Sequence, residues 1–277
     1  MYQLPMDQYR VFGNPIKQSR SPFIHQSFAQ TTKQAISYET SLVELGSFSI
    51  AVSEFIGQGG KGANVTVPFK EEALELADEL SDRARLAGAV NTLSFSNGKI
   101  YGDNTDGEGL VQDLLRNNVQ LKKSRILLLG AGGAARGVIL PLLAKNPNSI
   151  EIANRTVSKA ENLVVQFNNS KLSASGFEQA SDQVYDIIIN ATSASLTGTL
   201  PAITASTVTK NTVCYDMVYG KDLTPFLVWA TEQGATKVID GLGMLVSQAA
   251  ESFTIWRGIK PEVEVVIEQL KKALAQE

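Results

Sequence analysis

The sequence predicts an α/β fold of two domains, the second a doubly wound parallel sheet, and three observations carry that reading. Short apolar runs closed by Gly, Asn or Asp alternate with longer helical patterns along 277 residues, the signature of βαβ units. The alternation runs as two successive series, and the length suits two domains of about 150 residues each. The second series opens on Arg125-Ile-Leu-Leu-Leu129, which leads straight into Gly130-Ala-Gly-Gly-Ala-Ala135. Strand, glycine turn and helix start thus follow one another directly, which marks a Rossmann-type unit.

Taken in order, the first series places strands at Tyr9 to Gly13, Ile36 to Val43, Gly62 to Val67 and Val90 to Phe95. Helices are expected near Pro22 to Gln30, Phe48 to Gln58 and Phe69 to Leu80. Asn97-Gly98 is a two-residue hairpin turn joining Val90 to Phe95 with Lys99 to Tyr101. The second series continues from Arg125 to Leu129 with strands near Ser149 to Ala153, Tyr185 to Asn190, Thr212 to Met217 and Thr236 to Asp240. Beyond Asp240 no strand pattern remains. Leu242 to Arg257 and Pro261 to Leu274 read as helices, the latter with Pro261 in its first turn. These two helices either cap the second domain or return to the first. Pro141 falls inside the helix after the glycine turn and should cost it a hydrogen bond or a kink.

Composition narrows the function. Lys and Arg number 25 against 28 Asp and Glu, a net charge of −3, so no basic excess exists to neutralise a phosphate backbone, and no nucleic acid partner is expected. The apolar share of 43% supports buried cores. One cysteine, Cys214, and one histidine, His25, rule out an intrachain disulfide and the usual four-ligand zinc site. The reading is metal-free chemistry in a reducing, cytoplasmic compartment. Met1 to Arg10 is too polar for a signal-peptide core, and Ile126 to Ala144 is interrupted by Arg136 and Pro141. Neither export nor a membrane partner is expected.

The glycine turn carries the clearest chemistry. Gly130 permits the tight turn, Gly132 lets backbone approach a pyrophosphate, and Ala135 allows close packing of helix on strand, while the helix N-terminus offers free N–H donors. A purely structural glycine turn is the bland alternative. A NAD-binding unit carries an acid about 20 residues beyond the glycines to hold the ribose hydroxyls. Here the strand Ser149 to Ala153 ends in Asn154-Arg155-Thr156 with Lys159 following. Cations and a hydroxyl suit an extra 2′-phosphate, which favours NADP over NAD. Alternatively, Asn154 and Thr156 merely cap the next helix.

Hydride transfer also requires a proton donor or acceptor at the carbonyl oxygen, and with one histidine that role falls to Lys, Tyr or a carboxylate. Polar groups gather in Asn64-Val-Thr-Val-Pro-Phe-Lys70, Gly88-Ala-Val-Asn-Thr92 and Gly102-Asp-Asn-Thr-Asp-Gly107. Singly these are turn residues, caps and a solvated lysine. Asp106 gains weight because it precedes a helical run through Leu115 that leads into the second domain. Alternation puts Asn64 and Thr66 on one side of their strand. Ser19 and Ser21 either hold a carboxylate or cap the helix entered through Pro22. His25 reads as a satisfied structural histidine, Cys214 as inert, and Trp229 and Trp256 as packing residues.

In order, Ser19-Arg-Ser-Pro22, Asn64 to Lys70, Gly88 to Thr92, Asp103-Asn-Thr-Asp106, Gly130 to Ala135, Asn154-Arg-Thr156, Asn190-Ala-Thr-Ser193 and Asp216-Met-Val-Tyr219 resemble the shikimate dehydrogenase family over nearly the whole chain. The resemblance implies NADPH-linked reduction of 3-dehydroshikimate to shikimate on the route to aromatic amino acids. It implies a substrate-binding and catalytic α/β domain over 1–106, a Rossmann NADP-binding domain over 107–240, and C-terminal helices over 241–277 returning to the substrate domain. One departure is Ser195, where the family commonly has glycine.

Carried over by position, the family's catalytic pair falls on Lys70 and Asp106. Ser19, Ser21, Asn64, Thr66, Asn91, Tyr219 and Gln248 join them in lining the substrate, with Ser19 and Ser21 on the ring carboxylate. Gly130, Ala131, Gly132, Gly133, Ala134, Ala135, Asn154, Arg155, Thr156, Lys159, Thr192, Ser193, Met217 and Gly241 would contact NADP(H). Lys70 would protonate the developing alkoxide or only polarise the oxygen, with Asp106 orienting its amine. The resemblance leaves a quinate/shikimate dehydrogenase with relaxed NAD/NADP use as the second reading. A methylenetetrahydrofolate-type dehydrogenase and a non-catalytic NADP-binding sensor stand further off. The partner is a small-molecule substrate, and the chain is read as a monomer or homodimer.

Overall fold

The structure is a computed structural model that describes residues 6–180 and 182–276. Contacts divide the chain into two compact units, Met1–Asp106 with Val246–Glu268, and Gly107–Leu245 with Gln269–Glu277.

In the first unit β1 (Asp7–Gly13), α1 (Ser21–Thr32), β2 (Ile36–Leu42), α2 (Phe48–Gly57), β3 (Gly62–Val65), α3 (Lys70–Leu76), β4 (Glu79–Leu80), α4 (Asp82–Ala87), β5 (Thr92–Ser96) and β6 (Lys99–Asp103) follow in turn. The strands form a sheet of order β2-β1-β3-β5-β6-β4. It is mixed rather than parallel throughout. β1 runs parallel to β2 and β3, while β5 is antiparallel to both β3 and β6. The reason is the predicted hairpin: Asn97 and Gly98 both take positive φ, 53° and 72°, as a tight two-residue turn requires. An aromatic core fills one face, where Phe12 meets Phe48 and Phe55 edge-on, each at 6.0 Å between ring centroids. Such pairs contribute about 0.5–1.5 kcal/mol beyond the area they bury.

The single helix expected over Phe69 to Leu80 is instead the shorter α3 followed by the two-residue strand β4, with α4 beginning only at Asp82. Backbone pairing overrides helix propensity there: Glu79 and Leu80 pair with Tyr101 and Gly102, and the Asp78 carboxylate accepts the Ile100 N–H at 2.7 Å. Strand β3 also stops earlier than expected, at Val65, because the chain turns where the Phe69 N–H donates to the Thr66 carbonyl at 3.0 Å.

The second unit carries α5 (Asp106–Arg116), β7 (Arg125–Leu129), α6 (Gly133–Ala144), β8 (Ser149–Ala153), α7 (Val157–Phe167), β9 (Leu172–Ser175), α8 (Phe177–Ala180), β10 (Ile187–Asn190), β11 (Val213–Asp216), α9 (Pro225–Glu232) and β12 (Lys237–Ile239). Its sheet, in order β12-β11-β10-β7-β8-β9, is parallel in every pairing among the described residues. Strand β9 was not anticipated; its short Leu-Ser-Ala-Ser run lacks a branched apolar pattern and takes its register from β8. Leu127 to Leu129 and Ile187 to Ile189 are buried on both faces, as central parallel strands demand. Pro141 does lie inside α6 and cannot donate to the Gly137 carbonyl four residues back. Gly107 packs against that carbonyl so closely that an added Cβ would lie 2.3 Å from it.

Two last helices follow, α10 (Leu242–Arg257) and α11 (Glu264–Gln276). Pro261 is buried ahead of α11 rather than placed in its first turn. Trp256 donates from its indole to the Leu93 carbonyl at 3.0 Å and stacks on Tyr9.

Candidate active site

Lys70 is the first residue of α3 and Asp106 the first of α5, and their side chains meet, with Nζ 2.5 Å from Oδ2. Both retain about a quarter of their exposure, 28% and 24%. Backbone bonds bring the three polar segments side by side. The Val90 N–H donates to the Lys70 carbonyl at 2.9 Å, and the Asn91 N–H to the Asp103 carbonyl at 3.0 Å. Asn104 completes the arrangement, accepting the Asp106 N–H at 3.1 Å and donating to the Ala89 carbonyl at 3.0 Å. A carboxylate at a helix N-terminus is favoured by the dipole. The lysine at the start of α3 is opposed by it, which makes the Asp106 oxygen its natural partner.

Asn91 is buried and its orientation is determined by its neighbours. The Thr105 N–H donates to Oδ1 at 2.9 Å, so Nδ2 faces the carboxylate, donating to Asp106 Oδ1 at 2.8 Å and reaching Gln248 Oε1 at 3.2 Å. Beneath it lies Asn64, buried, with its amide engaged by protein groups on both sides. Nδ2 donates to the Asn91 carbonyl, Thr92 and Ser252. Oδ1 accepts the Tyr38 hydroxyl at 2.7 Å and bonds His25 Nε2 at 3.1 Å. Because Oδ1 can only accept, the histidine proton sits on Nε2, and Nδ1 has no partner among the described residues. Burial pushes the His25 imidazole down to about 3 from its ordinary 6.5. The ring therefore stays neutral, stacked on Tyr38 at 4.2 Å, a structural histidine.

Ser19 and Ser21 stand at the entrance to α1, both half-buried. The N-cap position of α1 is Arg20, which makes no side-chain cap bond among the described residues. Ser19 Oγ accepts the Ser21 N–H at 3.3 Å. Thr66, half-buried, follows β3. Sequence reasoning passed over Thr92, Thr105 and Ser252, which knit Asn91 to Asn64 and to α10. Thr92 and Thr105 lie inside motifs already singled out, so their signal was present; Ser252 had none.

In the second unit Gly130 takes φ +108° at the end of β7, and α6 starts at Gly133. A Cβ on Gly132 or Gly133 would meet nothing within 4 Å. Open space before a helix N-terminus with bare N–H groups suits a pyrophosphate. Ala131 and Ala134 flank the turn, and Ala135 is buried against the core. At the end of β8, Arg155, Thr156 and Lys159 are exposed. Thr156 is the N-cap of α7 but makes no side-chain cap bond among the described residues; Asn154 donates to its carbonyl at 2.8 Å. The residues present therefore fit a dinucleotide with a 2′-phosphate. Asn190 gathers the remaining loops: Thr192 donates to its side chain at 2.7 Å and the Met217 N–H to its carbonyl at 3.0 Å. Gly241 approaches Met217 so closely that a Cβ would lie 2.2 Å from its carbonyl oxygen. Ser193 is exposed, and Tyr219 lies in the loop after β11. Ser195 donates to the buried Asp216 carboxylate at 2.6 Å, as does Thr224. Burial pushes the Cys214 thiol up to about 12, so it stays protonated and inert.

A Rossmann-type unit with an open glycine turn, and a lysine–carboxylate pair set among amides and hydroxyls, define a dinucleotide-dependent oxidoreductase. Family models for the shikimate dehydrogenase substrate-binding domain, shikimate/quinate 5-dehydrogenase and the shikimate 5′-dehydrogenase C-terminal domain match residues 11–93, 112–218 and 241–271. The chain belongs to the shikimate dehydrogenase family. It is 65% identical to shikimate dehydrogenase (NADP+) of Colwellia psychrerythraea over 99% of this chain and 100% of that one. Among solved structures, an Ael1 enzyme from Pseudomonas putida superposes with TM-score 0.93 at 47% identity, covering 95% of this chain and 98% of that one. Shikimate 5-dehydrogenase from Thermus thermophilus, in complex with NADP(H) and shikimate, gives TM-score 0.87 at 32% identity, covering 97% and 100%.

Proposed function

We propose that the chain catalyses the reversible NADPH-dependent reduction of 3-dehydroshikimate to shikimate. The observation that carries the chemistry is the Lys70–Asp106 pair oriented by Asn91. When bound, the reduced dinucleotide supplies a hydride to the ring carbonyl carbon. Lys70, as an ammonium, gives a proton from Nζ to the oxygen that becomes an alkoxide, and Asp106 holds the amine in place and balances its charge. In the reverse direction Lys70 accepts the hydroxyl proton. Its partial exposure lets solvent restore the protonation state between turnovers.

In this reading Ser19 and Ser21 hold the ring carboxylate, and Asn91 with the pair holds ring hydroxyls. Asn64, Thr66, Tyr219 and Gln248 complete the substrate-lining set, neutral donors and acceptors suited to a polyhydroxylated acid. Gly130 to Ala135 take the pyrophosphate, and Asn154 to Thr156 with Lys159 the 2′-phosphate. Thr192, Ser193, Met217 and Gly241 complete the cofactor contacts. The same reading makes residues 1–106 the substrate domain, 107–240 the cofactor domain and 241–277 returning helices. No described helix is long and apolar enough to cross a membrane. A cytoplasmic monomer or homodimer is the setting proposed, supported by the intracellular supply of NADPH and the buried free Cys214.

The test is absorbance at the NADPH band with shikimate and NADP, shikimate and NAD, and quinate with each. Rapid reduction with shikimate and NADP alone supports the proposal. Comparable turnover with quinate or NAD would replace it with the broader quinate/shikimate activity, and binding of NADPH without turnover would replace it with a sensor.

A further inference from the structure

A charged cluster of Arg83, Asp103 and Glu251 adjoins the catalytic segment. Arg83, the second residue of α4, forms a two-pronged ion pair with Asp103, Nε to Oδ1 at 2.7 Å and Nη2 to Oδ2 at 2.8 Å. The rest of the guanidinium turns to Glu251 on α10, with Nη1 and Nη2 each 3.1 Å from Oε1. Asp103 is held further by Ser81, whose hydroxyl donates to Oδ1 at 2.5 Å while accepting the Ala84 N–H at 3.1 Å as the N-cap of α4. Arg83 and Glu251 remain about a quarter exposed.

What the cluster holds is the backbone of the catalytic segment. Asp103 Oδ1 also accepts the Asn104 N–H at 2.7 Å, and its carbonyl accepts the Asn91 N–H. Asn104 in turn caps Asp106. On α10, Glu251 lies three residues after Gln248 and so shares its helix face, and Gln248 touches Asn91 and Thr105. Asn91, which orients the Asp106 carboxylate, and Asn104, which takes the Asp106 N–H, are therefore each joined to the guanidinium through Asp103. We propose that Arg83 is a positioning residue for the reaction: it locks the Asp103–Asp106 turn and the Gln248 face of α10 into one register, and thereby sets the Asp106 oxygens toward Lys70 and Asn91. The planar fork makes a parallel two-pronged pair with Asp103 and still reaches Glu251; the donors of a lysine ammonium radiate from one nitrogen and cannot reproduce that geometry. Burial alone would raise the Asp103 carboxyl, and the neighbouring guanidinium with the hydroxyl of Ser81 outweighs it and holds the carboxyl below its ordinary range.

The inference rests on Lys70–Asp106 being the catalytic pair, so wild-type oxidation of shikimate with NADP is measured first; its absence would count against that reading and not against Arg83 alone. With activity in hand, kcat, both KM values and the pH profile of kcat are compared for Arg83→Met and Arg83→Lys. Arg83→Met is expected to lower kcat at least about tenfold, since small misplacements of reacting groups are costly. KM for NADP should stay within about twofold, and the kcat–pH profile should shift as the pair loosens. Arg83→Lys should fall between the two. A folded Arg83→Met with wild-type kcat and pH profile, whatever its melting temperature, overturns the proposal. If Arg83→Met does not fold, Arg83→Lys with wild-type kcat and pH profile overturns it equally.

Discussion

Asn91 donates from Nδ2 to Asp106 Oδ1 at 2.8 Å, and this bond leaves Oδ2 to Lys70 at 2.5 Å. The carboxylate is thus gripped at both oxygens, and the amide that grips it cannot flip, because the Thr105 N–H holds Asn91 Oδ1. Asn91→Ala frees the carboxylate to rotate and leaves the Thr105 N–H unpaired. A fall in kcat of about 10- to 100-fold is expected from the lost alignment, measured by steady-state shikimate oxidation alongside a melting curve.

Lys70→Ala removes the proton donor itself. Turnover should fall about 10²- to 10⁴-fold, the usual span for a general acid, with the NADPH dissociation constant unchanged by fluorescence titration. Wild-type turnover in this variant would remove Lys70 from the mechanism.

At the glycine turn, a side chain on Gly132 projects into open space, so Gly132→Val should leave the melting temperature nearly unaltered. If a pyrophosphate occupies that space, the dissociation constant for NADPH rises by about tenfold or more. Unaltered binding would separate this turn from the cofactor.

Arg155 is exposed at the tip of β8. Arg155→Glu places a carboxylate where a 2′-phosphate is read to lie, so KM for NADP should rise about tenfold or more while KM for NAD rises far less. Parallel changes in both constants would count against that contact.

His25 links acid sensitivity to the fold. Its folded value of about 3 lies below the ordinary 6.5, so the unfolded chain binds the extra proton first. The stability from the neutral ring is fully present above pH 6.5 and is lost at about 1.4 kcal/mol per pH unit as pH falls toward 3. Between pH 6.5 and 5 the wild type should lose about 2 kcal/mol more than His25→Gln in urea unfolding; equal losses would contradict the assignment.

Much of the architecture was legible locally. The run Arg125 to Leu129 followed at once by Gly130 announces a buried strand and a sharp turn because both depend on neighbouring residues. Asn97-Gly98 likewise announces its hairpin through the positive φ that both residues tolerate. The break in the helix after Leu76 was not legible, since it depends on Glu79 and Leu80 pairing with Tyr101 and Gly102. Strand β9 escaped for the same reason, its register coming from β8.

The sequence by itself determined the two α/β series, the glycine turn, the cationic tip at Arg155 and the family motifs that single out Lys70 and Asp106. These are short-range patterns, set by backbone sterics, apolar periodicity and residue chemistry. Only the tertiary structure decided which oxygen of Asp106 meets Lys70, that Asn64 is oriented by Tyr38, His25 and Ser252, and that Arg83 joins Asp103 to Glu251, 168 residues away from Arg83. Those choices belong to hydrogen bonds between distant segments, whose partners exist only once sheet pairing and the packing of α10 have brought them together.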